Sequence, residues 1–107
     1  MTKKWWDHTR WVAVGNPYFH GKFIFQFGLC PRGAGGLATP GNEPAVMVFI
    51  CHQVSDTYRN AVILGDYELD LIKRAFIPME PPAHALLEFL SVDVVIERFE
   101  DAMSKSV

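Results

Sequence analysis

Phe23, Phe25, Phe27 and Leu29 recur at every second position of Phe-Ile-Phe-Gln-Phe-Gly-Leu, with Ile24 and Gln26 between them. An extended chain puts all four on one face, whereas a helix would scatter them around its circumference. Residues Tyr18 to Leu29 therefore read as a strand, and Phe23, Phe25 and Phe27 as core. Such a strand is not stable alone; it needs neighbours and a layer over its aromatic face.

The neighbours are legible on both sides. Thr9 to Val14 alternates and reads as a first strand, and Gly15-Asn16-Pro17 reads as the turn joining the two into an antiparallel hairpin. Gly21, inside the second strand, suggests a bulge or a close backbone approach. Residues 30–44 hold four glycines and three prolines and are expected to form a mobile loop. Ala45 to Val54 is apolar on both faces as far as Cys51, which suits a central strand buried from two sides. Tyr58 to Leu64 reads as a fourth strand ending at Gly65.

After Gly65 the spacing predicts helices. Asp66 suits an N-cap, Glu68 and Asp70 a first turn, and Lys73 and Arg74 a last turn, with Leu69, Ile72 and Phe76 as the apolar stripe and Pro78 as the stop. Met79-Glu80-Pro81-Pro82 reads as a connector. Ala85, Phe89, Val92, Ile96, Phe99 and Met103 then keep a 4-3-4-3-4 spacing that predicts a second helix. The β-branched run at 92–96 keeps a strand there as a rival. The expected fold is α+β: one two-layer domain over residues 1–107, with a four-stranded, mainly antiparallel sheet and two C-terminal helices, in the order ββ–loop–ββ–αα.

Charge and aromatic residues divide along the chain. Ten of the fourteen aromatic residues precede Asn60, while nine of the twelve carboxylates follow it. The net charge of −2 is split into +3 over residues 1–60 and −5 over 61–107. Neither half is charged enough to indicate nucleic acid as a partner. The longest apolar run, Ala45 to Cys51, is too short to span a bilayer, and no apolar stretch follows Lys3 and Lys4 to make an export signal, so a cytoplasmic chain is expected. Two cysteines, Cys30 and Cys51, then read as free thiols.

Sites of chemistry are sparse. Gly33-Ala34-Gly35-Gly36 lacks the Lys-Ser/Thr and the following helix of a phosphate loop, although Arg32 beside it would suit an anion. Cys30, at a strand end, has His20 and His52 as possible bases, yet nothing around it matches a catalytic cysteine. The cysteines and histidines lack paired metal-ligand spacings, so neither a metal nor a cofactor is expected. Trp5, Trp6 and Trp11 exceed what a small hairpin hides and read as apolar anchors for another surface. Glu97, Glu100 and Asp101 give the last helix a negative face.

The expectation is a non-enzymatic protein-binding domain, an adaptor or an inhibitor of a larger machine of the kind mobile genetic elements carry, with a protein partner or a second copy of itself. Its binding residues are Trp5, Trp6, Trp11, Arg32, Glu97, Glu100 and Asp101. One alternative is a small-molecule-binding domain or enzyme using the 30–44 loop with a Cys/His pair. The other is stacking of single-stranded bases on Trp5, Trp6, Trp11, Tyr18 and Phe19, near lysines and Arg10.

Overall fold

A computed structural model describes residues 12–30, 45–54 and 61–105. They form an α+β domain in which five strands, β1 (Val12–His20), β2 (Phe23–Cys30), β3 (Ala45–Gln53), β4 (Ala61–Asp70) and β5 (Ala75–Pro78), precede a short 3-10 turn (Ala85–Phe89) and one α-helix, α1 (Val92–Lys105). The sheet follows chain order, β1-β2-β3-β4-β5, and every neighbouring pair is antiparallel.

The phenylalanine ladder of β2 organises the packing. Phe25 faces Ile50 and Phe27 faces Val48 across the β2–β3 ladder, and all four are buried. α1 lays Val95, Ile96, Phe99 and Ala102 on that face, with the Phe99 ring 5.4 Å from Phe27 in an edge-on contact. Edge-to-face packing suits the ring quadrupoles and adds to the burial of two large side chains. β3 is central, as its two-sided apolar pattern predicts: Val48 and Ile50 serve the helix face, while Ala45 and Met47 meet Cys30 and Met79 on the other.

Turn and bulge exchange places in the first hairpin. The chain reverses at Gly21-Lys22, where Gly21 has φ +59°, and not at Gly15-Asn16-Pro17. β1 runs on through those residues, and its register with β2 jumps from Val14↔Phe27 to Tyr18↔Phe25, so two extra residues bulge out of the ladder. Both glycines adopt positive φ, and the local sequence does not distinguish a reversal from a bulge. Pro17 is tolerated because β1 lies at the end of the strand order.

The largest correction concerns residues 66–77. No helix forms there; β4 continues through Gly65 to Asp70, a turn follows at residues 71–74, and β5 completes a hairpin. Leu69 and Phe76, placed on a helical stripe by their spacing, are cross-strand partners instead, and Ile72 is 93% exposed. Asp70 does cap backbone, but at a turn: its Oδ1 accepts from the amides of Ile72 and Lys73, both at 3.0 Å. Alternation of Asp66, Glu68 and Asp70 with Tyr67 and Leu69 is a strand period, and pairing with β3 outweighs helix propensity.

The second predicted helix is real only from Val92. His84 caps the 3-10 turn through Nδ1, the chain is extended at Leu90, and Ser91 then starts α1 by accepting from the Val94 amide at 3.4 Å. The break rotates the stripe, so Phe89 is 70% exposed while Phe99 is buried. The rival strand at 92–96 does not form. The described residues thus contain five strands and one α-helix instead of four and two. Trp5, Trp6, Trp11, Arg32 and the 31–44 part of the loop lie outside the described residues.

Truncation separates the two ends of the predicted stripe. Phe99→Ala is expected to cost about 3–5 kcal/mol in urea unfolding and Phe89→Ala less than about 0.5 kcal/mol, as deleting buried and exposed aromatic groups does.

Candidate functional site

Two features of the surface are not absorbed by the fold. The first lies where β5 ends. β4 bulges between its pairings with Ile50 and Cys51, at Leu64-Gly65, and Gly65 takes φ +117°, a conformation that L side chains rarely adopt. The bulge and the end of β5 at Pro78 leave a pocket of about 170 Å³ lined by Ile63, Leu64, Gly65, Asp66, Tyr67, Pro78, Met79 and Glu80. Tyr67 holds the wall in shape: its hydroxyl donates to the Leu64 carbonyl at 2.7 Å and accepts from the His84 amide at 3.1 Å.

Asp66 is the unusual member of this lining. It is 6% exposed, and among the described residues neither carboxylate oxygen has a hydrogen-bond partner. Its strand neighbours are Phe49 on β3 and Met79, whose amide donates to the Asp66 backbone carbonyl at 3.1 Å. Burial, and then the charge of Glu80, push its carboxyl up to about 7 from an ordinary 3.8. Burial, and then the charge of Asp66, raise the Cys51 thiol in turn.

The second feature is the outer side of α1. Asp93, Glu97, Glu100 and Asp101 are exposed there, against the two basic residues Arg98 and Lys105. Three of the four carboxylates are engaged locally. Asp93 accepts from Arg74 at 2.6 Å, Glu97 from Arg98 at 2.6 Å, and Asp101 from the Tyr18 hydroxyl at 2.8 Å with Lys105 at 3.2 Å. The Tyr18 hydrogen bond, with help from Lys105, lowers the Asp101 carboxyl; partial burial and that same bond raise the Tyr18 phenol. These exposed pairs contribute little to stability. They leave a helix with Phe89 exposed just before it. The β4–β5 turn, tied to it by Arg74, carries exposed Leu71 and Ile72.

Of the residues singled out from sequence, Glu97, Glu100 and Asp101 are thus together on α1. The sheet does not join Cys30 to either of the histidines considered with it. His20 and His52 both pair with Phe23, at the far end of β2 from Cys30. The seven residue steps from Phe23 to Cys30 span roughly 23 Å. Cys30 pairs with Ala45 and is buried, and the raised Cys51 thiol is unsuited to nucleophilic attack at neutral pH. Among the described residues no cluster of three or more His, Cys, Asp or Glu side chains is placed to hold a metal ion, and no helix is long and apolar enough to cross a membrane.

Sequence spacing missed the burial of the Asp66 carboxyl and its neighbour Glu80. The available signal was the period-two run of carboxylates behind Gly65, which places Asp66, Glu68 and Asp70 on one face of a strand. No protein-family model matches the chain, and no curated protein or solved structure is detectably similar to it.

Two measurements follow from this geometry. The folded chain keeps a proton on Asp66 between the ordinary 3.8 and about 7, where the unfolded chain has released it. Stability from this group therefore declines as pH rises through that window, by a few kcal/mol at most, at ~1.4 kcal/mol per tenfold change in proton affinity. Urea unfolding from pH 4 to 8 is expected to show this decline, and Asp66→Asn to remove it and to be the more stable protein at pH 8. Iodoacetamide at pH 7.5 is expected to alkylate the buried Cys30 and the half-buried Cys51, whose thiol is raised, at least about tenfold more slowly in the native chain than in urea.

Proposed function

We propose that the chain is a non-enzymatic, cytoplasmic protein-binding domain, an adaptor or an inhibitor of a larger protein machine, that presents α1 to a basic surface on its partner. The observation that carries this reading is the composition of one end of the molecule. Exposed Leu71, Ile72 and Phe89 lie on the segments flanking the start of an acidic helix whose opposite side is buried. Solvent-facing aromatic and aliphatic groups beside charge match the anatomy of protein interfaces, where a few apolar anchors supply affinity and charges supply orientation and rate.

Glu97, Glu100 and Asp101 are the electrostatic part of this surface. Trp5, Trp6, Trp11 and Arg32 are proposed as further contacts. No covalent step is assigned, since Cys30 is remote from His20 and His52 and the Cys51 thiol is raised.

Affinity capture from the native host, with captured proteins ranked by salt sensitivity, tests the reading. A specific partner should be retained by wild type, and weakened about tenfold or more by Glu97→Lys/Glu100→Lys and by Phe89→Ala. Trp5→Ala/Trp6→Ala should weaken it as well. Light scattering on the same variants shows whether that partner is a second copy. A partner bound equally by wild type and the helix variants, or steeply salt-dependent binding to nucleic acid alone, would overturn it.

A further inference from the structure

α1 and the 3-10 turn pack on one face of the sheet, and the other face carries an apolar row. Directly paired residues on neighbouring strands share a face. The pairs Phe19↔Ile24, Ile24↔Cys51 and Cys51↔Ile63 therefore set four side chains in line across β1, β2, β3 and β4. Ile24 alternates with the core residues Phe23 and Phe25, which puts the row on the side away from α1. None of the four is charged, and Phe19 and Ile63 are 53% and 52% exposed. Beyond Ile63, where β5 has ended, the row meets the cavity of about 170 Å³ beside Gly65, whose apolar wall is Ile63, Leu64, Pro78 and Met79. The Phe19 ring stands at the opposite end. Neighbouring strands are about 4.8 Å apart, so ring and cavity lie roughly 10 Å to either side of Cys51.

We propose that this row is the contact between two copies of the chain, related by a two-fold axis that runs along β3 at Cys51 and seats Phe19 of each copy in the Gly65 cavity of the other. A two-fold contact lays each end of a patch on the opposite end of its copy. A row with a ring at one end and a hole at the other, equally far from its centre, is thus complementary to itself. Ile24 of each copy meets Ile63 of the other, and the two Cys51 side chains lie at the axis. The sizes agree, as an apolar cavity of about 150 Å³ holds one benzene-sized guest. An apolar guest makes no demand on the buried Asp66 carboxyl.

Charge and chain path favour the same occupant. Two copies of one chain repel wherever like charges meet, and the neutral row lets them approach with both acidic α1 helices turned outward. The two longest segments outside the described residues, 1–11 and 31–44, join the sheet at Val12, Cys30 and Ala45, at the end away from this row. Sheets packed face to face interdigitate their side chains across about 10 Å. The patch measures roughly 20 Å by 20 Å, about 400 Å² per copy, against ~800 Å² per partner in a standard interface, so the dimer is weak and exchanging. This contact goes beyond the partner surface proposed for α1 and leaves that surface open.

Sedimentation equilibrium of the full chain, up to about 1 mM, tests the contact at the concentrations a weak dimer requires. A reversible monomer–dimer equilibrium is expected, little changed by added salt, as suits an uncharged contact. Phe19→Ala and Ile63→Lys should each weaken it at least about tenfold. Both side chains are half exposed, so the variants should stay folded, which urea unfolding checks. Their equimolar mixture should associate more tightly than either variant alone. A mixed pair keeps one intact contact, the Phe19 ring of the Ile63→Lys copy in the cavity of the Phe19→Ala copy. Glu97→Lys/Glu100→Lys should dimerise as wild type does while losing the partner proposed for α1, so the two readings fail separately. A monomer at about 1 mM, variants that dimerise like wild type, or a mixture no tighter than its components would each overturn the proposal. A monomer whose Ile63 amide signal moves only on deleting residues 1–11, or only on adding another protein, would assign the face to that occupant instead.

Discussion

The contact of Phe27 with Phe99 is the joint on which the domain turns. Phe27 is set by the alternation of β2 and Phe99 by the helical period of α1, so the contact fixes which face of the sheet is covered. Once that face is chosen, a strand of period two must send Gln26, Met47, Asp66, Glu68 and Asp70 to the other. The acidic side chains of β4 thus reach their positions by exclusion from the aromatic core.

The two bulges modify that rule in opposite ways. On β1, extra residues at 15–17 let a proline-bearing strand stay paired with β2 without forcing its side chains out of phase, so Val14 and Tyr18 both reach the core face. On β4, the bulge at Leu64-Gly65 opens a cavity beside Asp66. Leu64 stays buried, and its carbonyl accepts from Tyr67 across the distortion. A bulge next to a functional group is a common way for a sheet to aim a side chain.

Electrostatics then differ sharply between the two faces of interest. On α1 the carboxylates are solvated and paired, so they shape the field around the helix with little consequence for folding. At Asp66 a buried carboxyl has no counter-charge among the described residues, and it costs stability in proportion to its ionisation.

The sequence by itself determined the layers: Phe23, Phe25 and Phe27 as core, β3 as the central strand, and a helix carrying Ile96 and Phe99 inward with Glu97, Glu100 and Asp101 outward. Each of these is written in a period local to one element, 2 for strands and 3.6 for helices. Only the tertiary structure decided that Gly21 turns the chain while Gly15 bulges it, that residues 66–78 form a hairpin, and that Leu90-Ser91 breaks the last stripe. At those places the local pattern supports two conformations of similar energy. Hydrogen-bonding to β3 and burial under α1, which involve residues distant in the chain, select one of them. The exposure of Phe89 and the isolation of Asp66 follow from that selection and from nothing in their immediate neighbours.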